Sequence, residues 1–346
     1  MTSTTAEPKN VTATAGTAAP TTTVLFSAGA AQNVSWVASP NSVVADGNSK
    51  STLTLIVRDA QNNAVPGVGV TFSEASADSI LSATSGTTDA AGSVSVTLAA
   101  TVAESKTPKA TLTTTGTQYS TTVVFVPGPV SGLVSTLVAS PNTVTADGTS
   151  ATSLVFDAQD AFGNVVPGAT VSVTVTGAGY TLGSASGTTD SGGAFTTTLV
   201  STVAESKTVT LVANGVNFTV VVNFVPGSAA AAHSTLVASP NQLVADGSQA
   251  STLTLTVRDE QNNVVTNLST TFASTGTAAM LTPTTGTAVP TDANGQAQST
   301  LRSTYAESKI VTVSFGGATL QVPVTFVAGS PNSMYSSLLA NPNVQT

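Results

Sequence analysis

The chain has 346 residues, with 9 basic and 17 acidic side chains giving a net charge of −8, and only 8% of positions charged. It contains no cysteine, which excludes disulfides, thiol catalysis and cysteine-based metal sites. No basic stretch offers a footprint for nucleic acid, and no run approaches the roughly 18 apolar residues that insert in a membrane as a helix, so neither partner is expected of this segment.

Length suits about two to three domains, and internal repetition decides the number. Leu137-Val138-Ala139-Ser140-Pro141-Asn142, followed by Ala146-Asp147-Gly148, returns as Leu236 to Asn241 with Ala245-Asp246-Gly247. It appears slightly altered as Trp36 to Asn41 with Ala45-Asp46-Gly47, and in broken form as Leu338 to Asn343. The prolines of the motif, Pro40, Pro141, Pro240 and Pro342, lie about 100 residues apart, which is too long for a solenoid unit and fits a tandem array of whole domains.

In chain order, residues 1–29 come first. Ser3 to Lys9 aligns with Ser201 to Lys207, and Thr22 to Phe26 aligns with Thr121 to Phe125. These residues are therefore expected to be the C-terminal strands of a truncated preceding repeat. Met1 then reads as an expression start, and a natural chain beginning inside a repeat is the alternative. The residues after Met1 carry neither a charged start nor an apolar run, so they do not form a signal peptide.

The first full repeat spans 35–128. Ser51 to Val57 alternates with Leu53, Leu55 and Val57 on one face, the pattern of a half-buried strand. Arg58 to Asn63 is turn chemistry, because Asn tolerates positive φ and Asx side chains bond their own backbone. Pro66-Gly67 precedes a strand over Val68 to Phe72, and Thr88 to Gly92 turns into Ser93 to Leu98. Lys109 to Thr115 and Ser120 to Val126 close the unit as a hairpin. The second repeat (135–227) and third (234–329) keep this order, the third with Thr266-Asn267 in place of the Pro-Gly, and residues 335–346 are expected to open a following repeat as its first strand. Short strands, turn signals every 8 to 12 residues and no helical period predict an all-β chain of three tandem immunoglobulin-like β-sandwich domains. The linkers Pro127 to Gly132, Pro226 to Ala232 and Ala328 to Ser333 are short, so the sandwiches are expected end to end in an extended rod.

These motifs, from Pro-Asn-x-x-x-Ala-Asp-Gly through the Asp-x-x-Asn-Asn turn to Val-Pro-Gly and Thr-Asp-x-x-Gly, resemble the bacterial immunoglobulin-like group 1 (Big-1) repeat. That repeat is best known from the intimin and invasin adhesins, the inverse autotransporters. The resemblance covers all three repeats and both flanking pieces. It implies a structural stalk segment of a bacterial cell-surface adhesin, extracellular and anchored in the outer membrane through a part N-terminal to it, spacing an adhesive tip from that membrane. The partner it implies is a host-cell or neighbouring-cell receptor, bound through the parent protein. The rival readings are a receptor-binding adhesin module, with Phe162 and Tyr180 its mild aromatic signs, and an Ig-like decoration or fibre protein of a phage virion.

No enzyme is expected, and no catalytic, cofactor-binding or metal residues. His233 stands alone in a linker, and one histidine cannot build a recurring triad. Glycines fall in turns and not in a phosphate loop. Asp46, Asp147 and Asp246 recur near each domain start, yet with Glu104, Glu205 or Glu307 they supply too few oxygens for calcium, which takes six to eight. They are expected to be simple Asp-Gly turns. The recurring Ala-Glu-Ser-Lys at 103–106, 204–207 and 306–309 is expected to be an exposed ion pair rather than an isopeptide crosslink, and a weak one. Trp36 is expected in the core or at a joint.

Overall fold

A computed structural model describes residues 1–338. The second repeat shows the plan. One sheet runs in spatial order Thr136–Ser140, Thr152–Asp157, Ala194–Ser201, Tyr180–Leu182, all antiparallel. The other runs Thr143–Thr145, Val216–Val225, Ser206–Ala213, Thr170–Val175, Ser186–Thr188. Its first pair is parallel, Thr143–Thr145 lying beside Asn223 to Val225. The recurring Ser-Pro-Asn motif is thus the crossing between sheets. Proline has no N–H to continue the first ladder, so the chain leaves at Ser140 and re-enters the opposite sheet at Thr143.

Alternation fills the space between the sheets. Leu154, Phe156 and Leu199 from one sheet meet Val209, Leu211 and Phe224 from the other, all buried. Each buried side chain of this size contributes about 1.5–3 kcal/mol over exposure. The first and third repeats have separate cores of the same kind, around Leu53, Leu55, Leu98 and Phe125, and around Leu253, Leu255, Val313 and Phe326. Leu53, Leu55 and Val57 point inward as the alternation predicts.

The first repeat departs from its siblings. The closing hairpin is one continuous pair in the third repeat, Ser308–Phe315 with Ala318–Val327. In the first it breaks into Ser105–Lys106 with Val123–Val126 and Lys109–Leu112 with Gln118–Ser120, in two different sheets. Pro108 stands at the break, where the second repeat has Val209 paired on both sides. A proline there cannot donate to the ladder of a central strand. Pro323 of the third repeat is tolerated because the flanking parallel pairing begins only at Thr325. Trp36 adapts to the break: buried, it stacks on Phe72 (centroids 5.5 Å) and donates from Nε1 to the Pro108 carbonyl at 3.2 Å.

Residues 1–29 hold a hairpin, Pro8–Thr12 against Thr21–Leu25, with Val11, Val24 and Leu25 exposed. The strand expected within 335–346 lies, from residue 339 onward, outside the described residues.

Candidate functional site: the joint between repeats

The turn Asp160 to Asn164 is where one repeat grips the one before it. Asp160 is 1% exposed. Its Oδ1 accepts from the backbone N–H groups of Phe162 (2.8 Å) and Asn164 (3.0 Å), closing the turn. Its Oδ2 accepts from the Asn164 side chain (2.8 Å) and from the backbone N–H of Gly128 (2.9 Å), in the segment leaving the first repeat. Asn164 completes the grip: Nδ2 donates to the Thr101 carbonyl (2.9 Å), and Oδ1 accepts from the Ala103 N–H (2.8 Å). A side-chain amide thus pairs with a backbone edge 61 to 63 residues away, as a strand residue would.

The same set recurs at the next joint. Asp259 Oδ2 accepts from Gly227 N–H (2.8 Å), while Asn263 bonds the Thr202 carbonyl (3.0 Å) and the Ala204 N–H (2.9 Å). It recurs again against the N-terminal piece, where Asp59 takes Gly29 N–H (2.8 Å) and Asn63 takes the Thr4 carbonyl (2.9 Å) and the Ala6 N–H (3.0 Å). Four N–H donors on one carboxylate favour its ionised form. Asp59 accordingly titrates at about 2, first through the Asn63 side chain and then through Gly29. Burial pushes Asp160 up, but the Asn164 side chain and the Gly128 amide outweigh it and hold the group below its ordinary value.

The linkers are braced as well. Val130 and Ala230 are buried, and Ser131 N–H donates to the Gln159 carbonyl at 2.7 Å. Ser135 Oγ donates to the same carbonyl and accepts from Gln159 N–H, each at 2.9 Å. His233 sits at the second joint, with Nε2 3.5 Å from Glu260.

The residues singled out by sequence divide. Asp147 caps its own turn, accepting from Thr149 N–H (2.8 Å) and Ser150 N–H (2.6 Å), and Asp46 and Asp246 do likewise. These bonds hold all three carboxyls below their usual range. Among the described residues no three His, Asp or Glu side chains gather as a metal site. Tyr180 is half-buried and packs on the core with Lys207 Nζ 5.6 Å from its ring centre, while Phe162 is exposed in the joint turn. From the sequence alone, Asp59 to Asn63 and its copies read as local turns. The one signal beyond that was the retention of Asp and the final Asn in all three, while the position before that Asn changes from Asn62 to Gly163 to Asn262.

The Ala-Glu-Ser-Lys expectation needs correction. The lysine side chains of Lys106, Lys207 and Lys309 are 0% exposed, while Glu104, Glu205 and Glu307 remain partly open. The lysine opens a strand in register with its core face, Lys207 preceding Val209, Leu211 and Ala213, so its stem is carried inward. Its ammonium donates to Glu205 Oε1 (2.6 Å) and the Ala178 carbonyl (2.7 Å). That hydrogen bond, then the charge itself, lowers the Glu205 carboxyl. In the first repeat Lys106 bonds Asp78 and Glu104, both at 2.6 Å. Burial lowers the Lys106 value, but these two carboxylates raise it overall, and Asp78 is itself held low. An ionised pair is the opposite of the neutral amine that isopeptide formation needs.

The comparisons with known proteins agree with this architecture. The model of the bacterial Ig-like domain (group 1) matches residues 33–126, 134–225 and 233–327. The inverse autotransporter adhesin YeeJ of Escherichia coli (strain K12) is 32% identical over 304 residues, which is 84% of this chain and 13% of that protein. The chain thus spans a small part of that relative's length. Among solved structures, the E. coli adhesin FdeC superposes with a TM-score of 0.55 at 23% identity, covering 88% of this chain and 100% of that one. Invasin, an integrin-binding protein, gives 0.53 at 21%, covering 86% and 60%. InvD of Yersinia pseudotuberculosis gives 0.53 at 17%, covering 86% and 98%. These three likenesses carry the fold. With its motifs, its two-sheet repeats and its matched spans in agreement, the chain is an adhesin-related segment and belongs to the bacterial Ig-like domain (group 1) family.

Proposed function

We propose that this segment is a non-enzymatic stalk of a bacterial cell-surface adhesin. Its repeats, at 35–128, 135–227 and 234–329, hold an adhesive element away from the outer membrane in which the parent protein is anchored. Residues 1–29 are the end of a preceding repeat. Contact with a host or neighbouring-cell receptor is made by the parent protein. The observation that carries this reading is the joint: the same Asp and Asn grip the preceding repeat three times over. Fixed joints suit a spacer, because a flexible string of domains falls back on itself. The joint carboxylates are occupied by N–H donors, so stiffness is expected without a bound cation.

Small-angle scattering of the full chain tests this. Strands of 8 to 10 residues at roughly 3.3 Å each give domains about 40 Å long and a rod of roughly 120 Å. The radius of gyration is then about 35 Å, against about 20 Å for a single compact body of this length. The compact value would overturn the stalk reading.

A further inference from the structure

The far end of the third repeat carries the same three groups that the joint turns grip elsewhere. By position, the Thr101 carbonyl, the Ala103 N–H and the Gly128 N–H of the first repeat correspond to the Thr304 carbonyl, the Ala306 N–H and the Gly329 N–H. The loop that holds them is built alike. Ser303 Oγ donates to the Tyr305 carbonyl and accepts from Tyr305 N–H, as Ser201 does with Val203. Lys309 pins Glu307, as Lys207 pins Glu205. Among the described residues none bonds the Thr304 carbonyl or the amides of Ala306 and Gly329. Exposure of the alanine follows the same division: Ala6, Ala103 and Ala204 are half-buried at their joints, whereas Ala306 is exposed.

We propose that this end is a docking face for the Asp-x-x-x-Asn turn of a further group 1 Ig-like repeat, recognised through backbone atoms alone. The polarity is complementary: one acceptor and two donors face the donor of an Asn amide, its carbonyl oxygen and an Asp oxygen. No side chain of the gripped loop takes part, so Tyr305 in place of Val102 or Val203 does not disturb the recognition. Any repeat with the two-residue signature docks, whatever its remaining sequence. The inference rests on the stalk reading only in taking the joint as a stacking device.

The test extends the full chain after Thr346 with a copy of residues 146–227, completing a fourth repeat whose turn is a copy of Asp160 to Asn164. A second extension uses residues 245–329, so that a misfolded first graft does not leave the question open. Amide exchange is read at Ala306 and Gly329, with Ala103 and Ala204 as internal references. Both target amides should exchange about tenfold or more slowly in the extended chains than in the parent. Asn→Ala in the appended turn should return Ala306 to its parent rate, and Asp→Ala should return Gly329. If the appended repeat is folded and both amides still exchange at parent rates, the docking face is refuted. Fast exchange at Ala103 and Ala204 would instead count against the stalk reading, which separates the two failures.

Discussion

The amide of Asn164 faces two repeats at once, and the consequence can be stated as a number. Asn164→Ala removes three hydrogen bonds and leaves the Ala103 amide and the Thr101 carbonyl half-covered. Opening of that joint should become easier by about 1–3 kcal/mol, read as faster exchange at Ala103 with the cores unchanged. Asn164→Asp should cost at least as much, because it sets a second acceptor against the Thr101 carbonyl. For the Asp59 joint the sign with pH is fixed by its folded value of about 2, against about 3.9 in an unfolded chain. A depressed carboxyl contributes fully above the unfolded value, and that contribution is lost as pH falls through the folded one. The Gly29 amide shift should therefore titrate with a midpoint near 2, and a midpoint near 4 would contradict the four-donor arrangement. Half of this site was legible in the sequence. Asp bonding its own turn is visible in a stretch such as Asp160 to Asn164. The partner is not, because the Thr101 carbonyl and the Ala103 amide are backbone groups that any residue supplies.

Strands carry a different lesson. Alternation located Leu53, Leu55 and Val57 correctly because each face of a strand answers to one side of a sheet. The lysines of Ala-Glu-Ser-Lys read as exposed because their charge argues for solvent, whereas a long stem can lie in the core while only its tip finds partners. Two substitutions separate stem from charge. Lys207→Met keeps the packing and should shift stability little, in line with buried pairs replaced by apolar residues. Lys207→Ala leaves a cavity and should cost about 2–5 kcal/mol, and equal losses from both would restore the ion pair as the main term. Pro108 offers a second comparison. Where Val209 ties two neighbours together, Pro108 divides the first repeat's sheet, so that repeat should be the first to unfold on denaturant titration. Pro108→Val should join Ser105–Lys106 to Lys109–Leu112 and raise protection across both, and unchanged protection would assign the break to Trp36 instead.

At the scale of the array, one polar device recurs at all three described joints, an Asp and Asn turn set on a backbone edge, beside the braced linkers. Excess chelator should leave the melting profile and the scattering curve unchanged, and a marked fall in either would reveal a cation among the joint carboxylates. Such contacts are head-to-tail, joining unlike ends of successive repeats. The parallel pairing of Thr143–Thr145 with Asn223 to Val225 decides how that array bears load. In each repeat the second strand lies beside the strand through which the chain leaves, and the two run in the same direction. Tension that passes the entry strand and reaches this pair slides the two strands past each other, loading their hydrogen bonds together instead of opening them one at a time. On the stalk reading, tension along the segment would be resisted by three such shear clasps in series, and the first to slip would be that of the repeat divided at Pro108.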